Sequence, residues 1–213
     1  MLPVPLDPSL SPSRNAQKYY KEYRKAKTAE EILQQQIALG EDELRYLESV
    51  ADALSRAADT RELEELRREL EQSGYLRAKK EKRAAVQPTK PLTFVSDDGF
   101  TILVGRNNVQ NDRVTTRIAK GSDWWFHTKN IPGSHTVILT EGAQPPETTL
   151  RQAAVLAATH SKAAQSAQVP VDYTQIRNVK KPSGAKPGMV IYESNRTVYV
   201  TPDAALVARL RKE

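Results

Sequence analysis

The sequence predicts an α+β protein: a long coiled-coil helix with a short second helix, followed by a compact mixed α/β domain with an antiparallel β-sheet. Three observations carry that expectation. From Tyr19 onward, apolar residues recur at alternating spacings of four and three through more than five heptads, the pattern of a helix with one apolar seam. After Pro91 the rhythm changes to short runs of β-branched residues between turn formers. Both tryptophans, one of three phenylalanines and two of three histidines fall in the single stretch DWWFHTKNIPGSHTVIL, Asp123 to Leu139.

Residues 1–13 hold four prolines and read as an extended lead-in. The seam runs through Tyr19, Tyr23, Ala26, Glu30, Leu33, Ile37, Gly40, Leu44, Leu47, Ala51, Leu54 and Ala58, with Glu30 and Gly40 as its flaws. A glycine inside a helix costs roughly 1 kcal/mol relative to alanine. The phase survives across Gly40, so one helix from about Arg14 to Ala58 is expected, about 65 Å long at ~1.5 Å per residue. Asp59 suits the cap of a second helix, with Glu62 three residues on as its capping-box partner. Leu63, Leu66 and Leu70 form its stripe and Gly74 ends it, giving about Arg61–Ser73. A helix that short cannot cover the seam. An uncovered seam of Tyr, Leu and Ile is unfavourable in water, so a partner helix is expected from a second copy or from a longer parent protein.

The coiled-coil arm thus takes residues 1–76 and a basic linker residues 77–90, the latter with six Lys/Arg and one Glu in RAKKEKRAAVQPTK. Residues 91–213 form the mixed domain. Phe100–Val104 reads as a strand after an Asp98-Gly99 turn, and Asn107 as the cap of a helix to about Ala119. In the aromatic stretch, Trp124 and Phe126 should face one side of a strand and Trp125 and His127 the other. Ile131-Pro132-Gly133-Ser134 suits a type II turn, with positive φ at Gly133. Thr136–Leu139 is the partner strand. A helix from Thr148 to about Gln168 follows, then strands at Val171–Ile176, Met189–Tyr192 and Thr197–Val200. Asp203 caps a last short helix.

Lys plus Arg number 32 against 26 Asp plus Glu. The excess is uneven: residues 1–90 carry 17 basic and 16 acidic groups, residues 91–213 carry 15 and 10. The mixed domain, at +5, is the half biased toward a polyanion. There is no cysteine, which excludes disulfides and thiolate zinc sites and suits a cytoplasmic location. No apolar run reaches the ~18 residues that span a bilayer, and the N-terminus does not read as a secretory signal.

Catalytic constellations are sparse. No GxSxG elbow, HExxH or Walker loop is present. His127 and His135 lie where the two strands of a hairpin would bring them together, without an evident acidic third ligand, so no metal or other cofactor is expected. Two loops suit phosphate. Gly105-Arg106-Asn107-Asn108 precedes a helix N-terminus, where free N–H groups favour anions. Lys180 to Gly188 is a rigid basic loop. Cations and exposed aromatics together fit RNA better than they fit catalysis, although at least two of Trp124, Trp125 and Phe126 are expected in the core.

LDPSLSPSRNAQKYYKEYRKAK (Leu6–Lys27) resembles the start of the second long coiled-coil helix of the NFACT proteins. The stretch from Asp98 to Leu139 and the later NVKKPSGAKPGMVIY (Asn178–Tyr192) resemble that family's C-terminal RNA-associated domain. The resemblance covers nearly the whole chain. It implies a non-enzymatic, cytoplasmic factor that binds large ribosomal subunits obstructed by peptidyl-tRNA, contacts ribosomal RNA and tRNA, recruits alanyl-tRNA and promotes alanine tailing of stalled nascent chains. It also implies a C-terminal piece of a longer protein, consistent with the unpaired seam. By motif, the RNA-contacting positions would be Arg106, Asn107, Asn108, Asn111, Asp112, Trp125, His127, Lys129, Ser134, His135, Lys180, Lys181 and Lys186, with Gly133 and Gly188 structural. Some relatives carry a fibronectin-binding label, which makes a cell-surface adhesin the competing expectation. An enzyme using His127 and His135 is the weakest.

Overall fold

A computed structural model describes residues 3–77 and 88–212; most of the basic linker lies outside the described residues. The chain divides into two compact units, Met1–Leu44 and Arg45–Glu213. Helix α1 (Pro12–Arg56) is continuous through Gly40. Pro12 occupies the first helical position, where its missing N–H costs nothing. Asn15, almost wholly buried, accepts the Asp7 amide at 2.8 Å and donates to the Asp7 and Leu10 carbonyls at 2.9 and 3.2 Å. The extended lead-in is thereby pinned to the first turn of the helix. Along the predicted seam Tyr23, Leu33, Ile37 and Leu44 are 61, 61, 52 and 59% exposed.

In the second unit the end of α1 turns a different face inward. Tyr46, Val50 and Ala53 are buried, whereas the seam residues Leu47, Ala51 and Leu54 face out. The buried set sits one position before the seam, the direct correction to the heptad reading. Helix α2 (Thr60–Gln72) starts at Asp59, whose side chain accepts the Arg61 and Glu62 amides. Glu62 reaches back to the Ala58 amide at 2.8 Å rather than to the cap residue itself. Gly74, with φ of 84°, ends the helix.

The core is a six-stranded antiparallel sheet of order β1-β2-β4-β3-β5-β8. Its strands are β1 (Leu92–Val95), β2 (Thr101–Val104), β3 (Trp124–Thr128), β4 (Thr136–Leu139), β5 (Val169–Gln175) and β8 (Arg196–Val200). A separate ribbon pairs β6 (Val179–Lys180) with β7 (Ile191–Tyr192). Alternation along β3 sorts its side chains as expected. Trp124 and Phe126 join the cluster of Phe94, Ile102, Ile138 and Val171 under the alanine-rich α4 (Glu147–Thr159). Ala153, Ala154, Ala157 and Ala158 let that helix lie close to the sheet. Trp125 enters the opposite cluster with Val114 and Val137, covered by the π turn (Val114–Ile118) that continues α3 (Asn108–Arg113) and by residues of the β6–β7 region. Trp125 and Phe126 are both fully buried, and truncating either would cost about 3–5 kcal/mol. α5 (Ala204–Leu210), capped by Asp203, closes the first cluster.

Two local readings are corrected. Gly133 does not take positive φ; the left-handed residue of the hairpin loop is Asn130, at 54°. Glycine is required at 133 for proximity instead: it bridges Ser161, and a Cβ there would lie 2.7 Å from the Ser161 Cβ. The same bridge explains why α4 stops at Thr159 rather than near Gln168. Ser161 leaves the helix to pair with the hairpin loop, and Ser134 N–H donates to the His160 carbonyl at 3.0 Å.

Candidate nucleic-acid interface

The Gly105–Asn108 loop is built as the sequence suggests, but its anions are internal. Asn107 caps α3 by accepting the Gln110 amide at 2.9 Å. Gly105 must lack a side chain, since a Cβ would overlap Asn111. Against this loop α2 presents three carboxylates. Glu62 pairs with the Arg106 guanidinium. Glu65 accepts from Asn107 Nδ2 at 2.7 Å and Gln110 Nε2 at 3.2 Å. Glu69 accepts from Asn108 Nδ2 at 3.0 Å, and the same amide reaches Ser49 Oγ at 2.9 Å. The spacing Glu62, Glu65, Glu69 puts all three on one helix face. Burial raises the Glu69 carboxyl above its ordinary range, with the Asn108 hydrogen bond opposing. Its Oε2 has no hydrogen-bond partner among the described residues.

Behind the loop, Asn111 Oδ1 accepts the His135 amide at 3.0 Å, and its Nδ2 donates to the Gly133 carbonyl at 3.4 Å. His135 Nδ1 meets Thr115 Oγ1 at 2.8 Å. The two histidines expected to approach across the hairpin do so, with ring centroids 5.3 Å apart, and Trp125 lies 5.8 Å from His127 and 5.2 Å from His135. Burial drives both imidazoles neutral, His127 to about 4 and His135 well below its ordinary value. Gly133 and Thr128 carbonyls near His127 oppose that fall. His127, Tyr192, Ile131, Pro132 and Met189 line a cavity of about 170 Å³, with Arg45 and Glu48 of α1 also in its wall. Among the described residues no group of three His, Asp or Glu is placed to hold a metal ion.

Two lysines of the basic loop turn to protein partners. Lys181 pairs with Asp112, which also accepts the Gly188 amide at 3.0 Å. Lys186 reaches the Tyr75 hydroxyl and lies 4.9 and 4.3 Å from the Tyr46 and Tyr75 ring centroids, a cation–π arrangement. Gly188, with φ of 78°, has no room for a Cβ because Asn108 Oδ1 lies 2.6 Å from that position.

Of the thirteen positions singled out from sequence, Asn107, Asn108, Asn111, Trp125, Ser134 and His135 are therefore interior. In this fold they hold the framework, and Asn108, Asn111, Trp125 and His135 also line the cavity beside His127. Ser134 Oγ accepts from Arg56 at 3.2 Å. Arg106, Asp112, Lys181 and Lys186 are engaged with protein partners, as described above. Lys129, 4.0 Å from Asp172, and Lys180, 3.4 Å from Glu193, are at the surface, and His127 is half-buried. Sequence reasoning passed over Arg113, Arg117, Lys120 and Arg177, all exposed. The signal was present: the first three follow at spacings of four and three, one face of a helix.

Comparison with known proteins agrees with this architecture. Residues 1–88 match the model of the NFACT N-terminal and middle domains, and residues 90–194 that of the NFACT protein RNA binding domain. The chain is 49% identical over 212 residues to the Rqc2 homolog RqcH of Bacillus subtilis (strain 168) and 42% identical over 202 residues to that of Streptococcus suis (strain 05ZYH33). These alignments cover 98 and 94% of the chain but only 37 and 36% of the relatives, so the chain spans a little over a third of their length. The solved C-terminal structure of the fibronectin/fibrinogen-binding protein from Streptococcus suis superimposes with a TM-score of 0.87 at 39% identity, covering 94% of this chain and 80% of that one. On the identity and extent of these matches, the chain belongs to the NFACT family.

Proposed function

We propose that this chain supplies RNA and ribosome contacts to a ribosome quality-control factor. The observation that carries the reading is the match of residues 90–194 to an RNA binding domain, within a chain 49% identical to an Rqc2 homolog RqcH. The basic excess of residues 91–213 supports it, since polyanion binding gains from counterion release. In the whole protein the partner is the large ribosomal subunit obstructed by peptidyl-tRNA, and the outcome is recruitment of alanyl-tRNA and alanine tailing of the stalled chain. The work takes place in the cytoplasm. The chain acts as a binding module; burial holds the His127 and His135 imidazoles well below their ordinary range.

The test is binding of this chain to purified large ribosomal subunits, with and without peptidyl-tRNA, across a salt series. Saturable binding that weakens with salt is expected. Absence of binding, with the full-length protein bound in parallel, would assign the contact to other parts of that protein. A second reading, a surface protein that binds fibronectin, is favoured by the name of the superimposable Streptococcus suis protein. Native protein found mostly outside intact cells, together with fibronectin binding at physiological salt, would replace the first reading with the second. No described helix is long and apolar enough to cross a membrane.

A further inference from the structure

Two basic stretches of this chain, 113–122 and 173–192, contain no acidic residue and together carry seven lysines and arginines. The fold sets the first beside the start of the second. The Arg177 amide donates to the Gly121 carbonyl at 3.2 Å, and the Ile176 amide to the Asp123 carbonyl at 2.9 Å. Ile118, Ile176 and Val179 pack into one cluster beneath them. A Cβ built at Gly121 would lie 3.7 Å from the Arg177 Cβ, so Lys120 and Arg177 are neighbours across the junction.

The state of the cations differs sharply between the two stretches. Lys180, Lys181 and Lys186 of the second have protein partners. Arg113, Arg117, Lys120 and Arg177 are exposed and make no ion pair among the described residues. The adjacent acid is withdrawn from them. Asp123 is buried, and its carboxylate accepts the Lys120 amide at 2.7 Å and the Thr140 amide and hydroxyl at 2.8 and 2.9 Å. The π turn contributes directly. It buries Val114 and Thr115, the latter bonded to His135, and leaves Thr116 and Arg117 outside.

We infer that the flank formed by α3, the π turn and the turn at Arg177 is the phosphate-contacting surface for an RNA backbone, with Arg113, Arg117, Lys120 and Arg177 as its contact residues. The inference rests on the RNA-binding reading above and gives it a location. Exposed cations with no ion-pair partner among the described residues can neutralise phosphates and release the counterions condensed on the RNA. Arginine adds two-pronged hydrogen bonding to phosphate oxygens. Of the cations named from the sequence motifs, Arg106, Lys181 and Lys186 cannot do this without giving up their protein partners, whereas Lys129 and Lys180 are at the surface beside Asp172 and Glu193.

The test uses the full 213-residue chain and a fluorescein-labelled single-stranded RNA oligonucleotide, with anisotropy read across a potassium chloride series. Each phosphate contact removed should flatten the slope of log K against log salt by about 0.7, so alanine at all four positions should flatten it by about 3. Lysine in place of the three arginines should preserve the slope. Alanine at Arg61, Arg151, Lys162 and Lys212, four exposed cations elsewhere, should leave it nearly unchanged. If RNA still binds and the flank variant keeps the wild-type slope, the flank is refuted and the RNA-binding reading stands. Equal flattening by the control set refutes a localised surface. Wild-type protein that binds no RNA at any salt overturns both. Unchanged melting of the variants, expected for exposed positions, excludes unfolding as the cause of a loss.

Discussion

Gly188→Ala tests whether the basic loop is clasped to the rest of the domain through Asn108. Two costs are separable. Alanine at φ of 78° is left-handed, worth about 1–2 kcal/mol. Its Cβ would also stand 2.6, 2.9 and 3.0 Å from the Oδ1, Cγ and Cβ of Asn108. Asn108 has no free direction to move in, because its amide nitrogen is bonded to Ser49 and Glu69. Displacing it deprives a buried carboxylate of a donor, a further 1–3 kcal/mol or so. The sum is about 2–5 kcal/mol, or roughly 4–20 °C in melting temperature for a domain of this size. Gly184→Ala is the control, with φ of 76° and nothing within 4 Å of its Cβ; it should lose only the conformational part, about 2–8 °C. Both tryptophans lie in this domain, so melting followed by their fluorescence reports it. In an Asn108→Ala background, which removes the Oδ1 and Cγ contacts and leaves only the Cβ at 3.0 Å, the cost of Gly188→Ala should fall toward that of the control. Equal melting of the two glycine variants in the wild-type background would refute the clasp.

Stability should fall as the pH drops from about 6.5 toward 4. His127 and His160, held down to about 4 by burial, and His135, held well below its ordinary value by burial, stay neutral in the fold while the unfolded chain takes up protons. Their contribution is present above 6.5 and lost as pH falls toward the folded values, about 1.4 kcal/mol per pH unit for each histidine. Asp172 beside His127 works against that depression, and Arg56 beside His160 reinforces it. Glu69 and Asp52, raised by burial, pull the other way at the acid end. A urea midpoint that stays flat from pH 7 to 5 would contradict this. On α1, the exposed Leu33, Ile37 and Leu44 should drive self-association at high micromolar concentration, and lysine at the three positions should abolish it. Sedimentation equilibrium showing a monomeric wild type would remove that expectation.

Element types were legible because they depend on short-range pattern. The Asp59, Asn107 and Asp203 caps, the antiparallel hairpin and the two faces of β3 all follow from neighbours within a few residues. The side of α1 that is buried did not. Tyr46, Val50 and Ala53 are chosen by segments far away in sequence, and the heptad rhythm of Leu47, Ala51 and Leu54 is equally good locally. The internal partners of the Gly105–Asn108 loop were hidden for a related reason. Its donors do receive anions, but those anions are Glu62, Glu65 and Glu69. A glutamate at such spacing looks from sequence like one more solvated charge. Gly133 shows the limit of turn rules: Pro-Gly signalled a turn, whereas close contact with Ser161 is what requires the glycine.

The Asn108 clasp also bears on how long the domain stays folded. It joins Ser49 and Glu69, 59 and 39 residues earlier, and it lies beneath Gly188. Contacts across such separations need large loops to close first, so they are expected to form late on the folding path. Interactions absent from the transition state act on the unfolding rate and leave the folding rate nearly unchanged. The glycine at 188 and the amide at 108 therefore set the lifetime of the native state more than the speed at which it is reached.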